Sequence, residues 1–295
     1  MPDTIGFIGL GVMGLPMAKN LLKRGYPLLV HNRSSGRVAE LVAAGARAAD
    51  DPAAVAAGSS VVVTMLPDTV DVERVLTGER GVLSALRPAT LVIDMSSISP
   101  VATRRLAGLV ASRDGVMLDA PVSGGEIGAI DGTLSIMVGG DAAAFARARP
   151  ILEAMGNPER IVHIGESGAG QICKVCNQMA IGGALAGVSE AFALARKAGV
   201  DAGRVRQALL GGFAASRVLD VHGQRMLDGN YVPGFRTRLY QKDLRIANEA
   251  AQAHAVAIPA TALVTQLVNA LVASGGADLD YAAIGTMLFE LAGLR

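Results

Sequence analysis

Short apolar runs alternate with helix-length amphipathic stretches through the first half of the chain. Runs of strand type lie at 4–9, 27–31, 60–65, 91–94, 116–119 and 134–138. Helix-length stretches follow at 12–24, 38–44, 70–76 and 100–113, and a helix at 142–155 precedes a strand at 160–164. Continuous apolar strands that alternate with helices predict a parallel sheet covered on both faces. Past residue 165 the strand pattern stops. Helical stretches take over at 169–197, 202–210, 237–253, 259–273 and 281–292. The pattern predicts an α/β, doubly wound domain over 1–164 and an all-α domain over 165–295, which would begin with a long interdomain helix. Such a helix would hold the two parts close and leave a cleft, a common place for ligands.

Composition narrows the function classes. Hydrophobic residues make up 51% and charged residues 18% of the 295, too apolar for a disordered chain. Two cysteines build no disulfide framework. A formal net charge of +1, six Phe, four Tyr and no Trp give no footprint for nucleic acid. Mean hydropathy is +0.40, which raises the question of a membrane. The stretch 250–277 lacks Asp, Glu, Lys and Arg, yet Gln252, His254, Pro259, Gln266 and Asn269 interrupt it. It reads as a packed helix, not a lipid-facing span. The N-terminus has no basic region of the signal-peptide kind. A soluble, cytoplasmic protein with no membrane or nucleic-acid partner is expected.

The first strand ends in Gly9-Leu10-Gly11-Val12-Met13-Gly14. A GxGxxG between an apolar strand and an amphipathic helix is the dinucleotide fingerprint of a Rossmann-type fold. Gly9 serves the tight turn, Gly11 the approach of a pyrophosphate, and Gly14 the packing of helix on strand. The helix N-terminus offers its N–H groups to phosphate. At the end of the second strand an NAD site normally carries an acid for the ribose 2′-hydroxyl. Here the chain reads His31-Asn32-Arg33-Ser34-Ser35-Gly36-Arg37, with no acid. Arg33, assisted by Ser34 and Arg37, suits a 2′-phosphate. NADP(H) is therefore expected, with NAD(H) as the alternative. Two later strand ends, Leu66-Pro67 and Ser97, should also face the cofactor.

Ser123-Gly124-Gly125 follows a further strand. A hydroxyl and two unobstructed backbone N–H groups suit a carboxylate, although a plain β-turn has the same composition. Lys174, Asn177 and Gln178 share one face of the long helix, at i, i+3 and i+4. A lysine on so apolar a helix suits proton transfer if a cleft lowers its pKa, and snorkelling is the structural alternative. Cys173 and Cys176 form a CxxC without further ligands, so they read as small core thiols, and no metal motif is present. Gly182, Gly183 and Gly187 lie on the same helix and predict another helix packed closely against them.

Together these pieces resemble the β-hydroxyacid dehydrogenase family, which includes 3-hydroxyisobutyrate dehydrogenases. The resemblance runs over essentially the whole chain. It is carried by GFIGLGVMG at 6–14, DAPVSGGEIGA at 119–129, GTLSIMVGG at 132–140, GAGQICKVCNQ at 168–178 and QKDL at 241–244. CKVCNQ, the run 211–235 and YQKDL look most like the family's tartronate semialdehyde reductase branch. The resemblance implies NADPH-dependent reduction of a small carboxylate-bearing aldehyde to a hydroxy acid, tartronate semialdehyde to D-glycerate in that branch. Other branches act on succinic semialdehyde, glyoxylate or 3-hydroxyisobutyrate. It implies that Lys174 is the catalytic acid/base and that Ser123, Gly124 and Gly125 bind the substrate carboxylate. Asn177 would contact substrate or orient Lys174. Ser97 would lie beside the nicotinamide ribose, Phe235 would wall the cleft, Lys242 would contact cofactor and Asp243 would sit near Lys174. Physics alone reads the last three as a core aromatic and an exposed helical ion pair. Many members carry Asn where this chain has Gln178, which leaves that position's role open. Homodimers or homotetramers are implied, and the lysine argues against imine reduction and against a non-catalytic nucleotide-binding module.

Overall fold

The computed structural model describes residues 4–294. They divide into two compact units, one ending at Lys174 and the other beginning at Val175.

Among the described residues of the first unit, nine strands form one sheet. They are β1 (Ile5–Ile8), β2 (Leu28–His31), β3 (Arg47–Ala48), β4 (Val61–Thr64), β5 (Leu91–Asp94), β6 (Val116–Asp119), β7 (Val122–Ser123), β8 (Leu134–Gly139) and β9 (Gly156–Gly165). The order is β3-β2-β1-β4-β5-β6-β8-β7, with β9 beside β8. From β3 to β6 all pairs are parallel, so the chain reverses its direction of travel between β1 and β4. This is the doubly wound arrangement, whose ligands bind at the carboxyl ends of the strands around that switch. β8 departs from the all-parallel expectation, since it runs antiparallel to β6 and β7. Three residue pairs set that register, Asp119 with Gly139, Val122 with Ile136 and Ser123 with Ser135, and the run 134–138 carries no direction signal of its own.

The helices of this unit are α1 (Gly14–Lys23), α2 (Ser35–Ala43), α3 (Pro52–Ala57), α4 (Thr69–Thr77), α5 (Pro100–Ala111), α6 (Gly125–Asp131) and α7 (Ala142–Leu152). They cover both faces, which is why β1, β4 and β5 are buried at every position. Phe7, Val63, Ile93 and Leu118 pack with Met17 and Leu21 on one side. Ile8, Val62, Val92 and Met117 pack with Val55, Val72 and Leu106 on the other. α3 and α6 are too short to carry a helical period, and neither was predicted. α1 starts at Gly14, later than the pattern suggested, because Gly11 and Val12 belong to the turn before it.

α8 (Ala169–Lys197) opens in the first unit and continues into the second. The second unit adds α9 (Ala202–Leu210), α10 (Gly223–Asp228), α11 (Thr237–Ala253), α12 (Pro259–Ala273) and α13 (Ile284–Leu291). Leu185, Phe192, Tyr240, Leu244, Val264, Val268 and Phe289 form its core. Gly182 meets the predicted close packing: a Cβ there would lie 2.3 Å from the Tyr240 hydroxyl and 3.1 Å from Val264. Gly183 and Gly187 do not, since nothing lies within 4 Å of theirs. α8 is long and apolar enough to cross a membrane by length and composition. Its Leu185, Ser189 and Phe192 are fully buried, as in a core helix.

Candidate active site

The turn after β1 is built by exclusion of side chains. Gly9 has φ +98°, and a Cβ there would come within 2.3 Å of the Met65 carbonyl oxygen. A Cβ on Gly14 would fall 1.9 Å from the Gly9 carbonyl oxygen. Gly11 is different: nothing stands within 4 Å of the position its Cβ would take. Val12 is exposed and Leu10 buried. α1 then begins with Met13 at its N-cap, no capping side chain and no acid in the first turn. Open space at Gly11 and an uncapped helix end fit the pyrophosphate of a dinucleotide. Gly9, Leu10, Gly11, Val12, Met13 and Gly14 are the residues that would hold it.

At the end of β2, Asn32 braces the loop. Its Oδ1 accepts from the Leu10 N–H at 3.0 Å, and its Nδ2 donates to Ser34 Oγ at 2.8 Å. Arg37 reaches back and donates to the Leu10 carbonyl at 2.7 Å. Arg33 is exposed, without an ion pair or side-chain hydrogen bond among the described residues. No acid takes the place where a ribose 2′-hydroxyl would be bonded in an NAD site.

The next strand ends are tied together by buried polar groups that the sequence pattern did not assign. Asp94 and Asp119 end β5 and β6 as register partners, and Thr64 ends β4 beside Asp94. Thr64 Oγ1 donates to Asp94 at 2.8 Å. Ser96 Oγ accepts from the Leu66 N–H at 2.9 Å, which fixes the turn carrying half-buried Leu66 and exposed Pro67. Asp119 receives the N–H groups of Gly168 and Gln171 at 2.8 and 2.9 Å, so a strand-end carboxylate caps α8. Burial pushes its pKa up, opposed by those hydrogen bonds. Gly139 and Gly170 leave the space: a Cβ on either would meet the carboxylate within 3 Å. The Gln171 side chain donates to the Ser96 carbonyl at 2.8 Å and accepts from the Ile98 N–H at 3.1 Å. It therefore grips the backbone on both sides of half-buried Ser97. Lys174, half-buried, comes one turn later on the same helix. The sequence offered one signal for this lattice, the acids closing two adjacent apolar strands.

Ser123 lies in β7, opposite Ser135. Gly124 has φ +139° and Gly125 +63°, a path that few other residues take. Nothing stands within 4 Å of the Gly125 Cβ position. The pair leads into α6; a Cβ on Gly124 would lie 3.1 Å from Leu134, so the open space a carboxylate cradle requires lies at Gly125.

The second unit holds the remaining candidates. Asn177 Nδ2 donates to Gln178 Oε1 at 2.7 Å, and Gln178 Nε2 donates to Asp243 Oδ2 at 2.6 Å. Asp243 pairs with Lys242 at 2.8 Å. The expected ion pair is present, but it is buried rather than exposed, with side chains 12% and 4% accessible. Phe235 packs edge-on against Tyr281, and Asp280 accepts from its N–H at 3.1 Å. Cys173 is half-buried and Cys176 exposed, so the pair are not core thiols: α8 buries Val175 and Gln178 in their place.

Two family models match. One, the NAD binding domain of 6-phosphogluconate dehydrogenase, spans residues 4–165. The other, the NAD-binding domain of NADP-dependent 3-hydroxyisobutyrate dehydrogenase, spans 168–288. The chain is 49% identical to 2-hydroxy-3-oxopropionate reductase of Escherichia coli K12 over 281 residues, 95% of each chain. It is 40% identical to an NAD-dependent L-serine dehydrogenase of Pseudomonas aeruginosa, covering 95% of this chain and 96% of that one. Among solved structures, a Mycobacterium tuberculosis 3-hydroxyisobutyrate dehydrogenase with L-serine superimposes with TM-score 0.89 at 37% identity, covering 98% and 99%. A pyridine-nucleotide fold, a cradle with room for its phosphates and relatives of full length agree with one another. The chain belongs to the β-hydroxyacid dehydrogenase family, the NAD(P)-dependent oxidoreductases that act on the hydroxyl group of small hydroxy acids.

Proposed function

We propose that this enzyme reduces 2-hydroxy-3-oxopropionate (tartronate semialdehyde) to D-glycerate with NADPH, Lys174 acting as the general acid and, in reverse, the base. The observation that carries the reading is the 49% identity with the E. coli reductase across 95% of both chains. When bound, the reduced nicotinamide supplies the hydride. The chain's own groups bind and protonate. Ser123 Oγ and the N–H groups of Gly124 and Gly125 hold the substrate carboxylate, which turns the encounter into an oriented one. Lys174 ammonium stabilises negative charge on the aldehyde oxygen and gives it a proton. The Gln171 and Asp119 contacts hold the first turn of α8, which positions the backbone that carries the lysine. Asn177, Phe235 and Asp243 are assigned to the substrate, and Ser97, Leu66, Pro67 and Lys242 to the cofactor. Asn32, Arg33 and Ser34 are assigned to its 2′-phosphate.

A second reading has its own support. The named substrates of the relatives share a carboxylate and an oxidisable C3, and differ at C2: hydroxyl, ammonium or methyl. A methylene or its equivalent separates such substrates by only about 1–3 kcal/mol in an apolar pocket. Dehydrogenation of another β-hydroxy acid is therefore the competing activity. We read the enzyme as cytoplasmic and as a homodimer or homotetramer, the latter to be decided by light scattering.

The deciding experiment is Lys174→Ala. Its kcat should fall about 10²–10⁴-fold, with the NADPH dissociation constant held within about twofold. Undiminished turnover in a variant that binds NADPH would remove Lys174 from the mechanism.

A further inference from the structure

A row of polar side chains in the second unit begins at a carboxylate and ends at Asn177. Asp243 is 4% exposed, and its Oδ1 lies 2.8 Å from Lys242 Nζ. A carboxylate paired with an ammonium offers acceptors only. Gln178, 3% exposed, must therefore turn Nε2 toward it, and donates to Oδ2 at 2.6 Å. That orientation points Oε1 the other way, where it accepts from Asn177 Nδ2 at 2.7 Å. The Gln178 main chain is fixed as well, because its carbonyl accepts from the buried Tyr240 hydroxyl at 3.0 Å. Each amide is thus oriented by the one before it, back to Asp243. Asn177 has committed an N–H inward. Its Oδ1 accepts no hydrogen bond among the described residues.

We infer that Gln178 is a positioning residue that makes Asn177 present an acceptor, and that this acceptor selects small acids bearing a hydrogen-bond donor on C2. The inference rests on the functional reading above. With Lys174 serving the C3 oxygen, Asn177 is its neighbour one turn further along α8, about 5–6 Å away between Cβ atoms. That spacing suits the adjacent substrate carbon. A hydroxyl or an ammonium on C2 gives Oδ1 a hydrogen. A methyl gives none and leaves a desolvated acceptor unpaired, the condition under which polar sites discriminate most strongly. Gln178 then acquires a role: its side chain spans Asn177 and Asp243.

The test compares NADP⁺-dependent oxidation of D-glycerate and of 3-hydroxyisobutyrate by wild type, Gln178→Met and Asp243→Asn. Met keeps the length of the side chain and removes the relay. Asn at 243 keeps the shape of the side chain and one acceptor oxygen, but its amide N–H groups let both neighbouring amides turn over. In wild type, kcat/KM for D-glycerate should exceed that for 3-hydroxyisobutyrate at least tenfold. In both variants the ratio should fall about tenfold, and calorimetric dissociation constants for the two acids should converge. A general loss of folded enzyme lowers both rates and leaves their ratio unchanged, so the ratio separates positioning from stability. A ratio within twofold of wild type in both variants, or a wild type that favours the methyl acid, overturns the inference alone. No oxidation of either acid overturns the functional reading together with it.

Discussion

Arg33 and Arg37 differ in what holds them. Arg37 is bonded to the Leu10 carbonyl and so belongs to the loop's framework. Arg33 is exposed and has no such tie among the described residues, which leaves its guanidinium available to an arriving phosphate. Arg33→Asp should therefore raise the NADPH dissociation constant at least tenfold and change NADH binding by no more than about twofold. Equal loss of both in a titration followed by nucleotide fluorescence would refute a 2′-phosphate contact. The sequence showed the cation and the missing acid here, because both are matters of residue type. It did not show Arg37's bond, because nothing in the spacing says which of two nearby arginines folds back. The same limit applied to Lys242 and Asp243: the adjacent opposite charges were plain, their burial was not.

At the scale of elements, the loop between β1 and α1 makes a distinction that its three glycines conceal. Gly9 and Gly14 stand against backbone, while Gly11 stands against open space. Gly11→Ala should fold with the melting temperature of the wild type, yet bind NADP(H) at least tenfold more weakly, since its methyl occupies the phosphate's approach. Gly14→Ala should lose stability instead, because the methyl overlaps the Gly9 carbonyl oxygen and the helix must move off the strand. A Gly11→Ala variant that melts early and a Gly14→Ala variant that does not would reverse the assignment. The long strands and α8 were legible because four or more buried residues in succession, or a sustained helical period, leave a mark. The two-residue strands β3 and β7 and the seven-residue α6 are held by their neighbours, and no local pattern could announce them. The antiparallel turn into β8 was hidden for the same reason, since strand direction is a property of the pairing.

For the whole molecule, Asp94 links the site to pH. It is fully buried, its Oδ1 takes the bonds from Thr64 and Ser96, and its Oδ2 has no partner. Burial, with a smaller contribution from Asp119, raises its pKa from 3.8 to about 6 against those hydrogen bonds. The folded state then holds this proton more tightly than the unfolded chain. Its contribution to stability is greatest below pH about 4 and is lost as pH rises to about 6, a change of about 3 kcal/mol at most. Asp94→Asn should flatten the wild-type stability profile between those pH values and melt higher than wild type at pH 8. Identical profiles in urea titrations of the two proteins would remove Asp94 from the pH response. The doubly wound fold could be read from the chain, and so could the nucleotide loop. The lattice of Asp94, Ser96, Asp119 and Gln171 could not, because it joins residues up to 75 positions apart. Its anchoring of α8 gives the enzyme an angular origin. Side chains on a helix advance by about 100° per residue, so from the Asp119 anchor the chain counts the bearing of Lys174 as a dial does. Length in this segment is therefore information: a substitution between 171 and 174 alters a chemical group, but one inserted or deleted residue would turn Lys174 out of phase with that anchor.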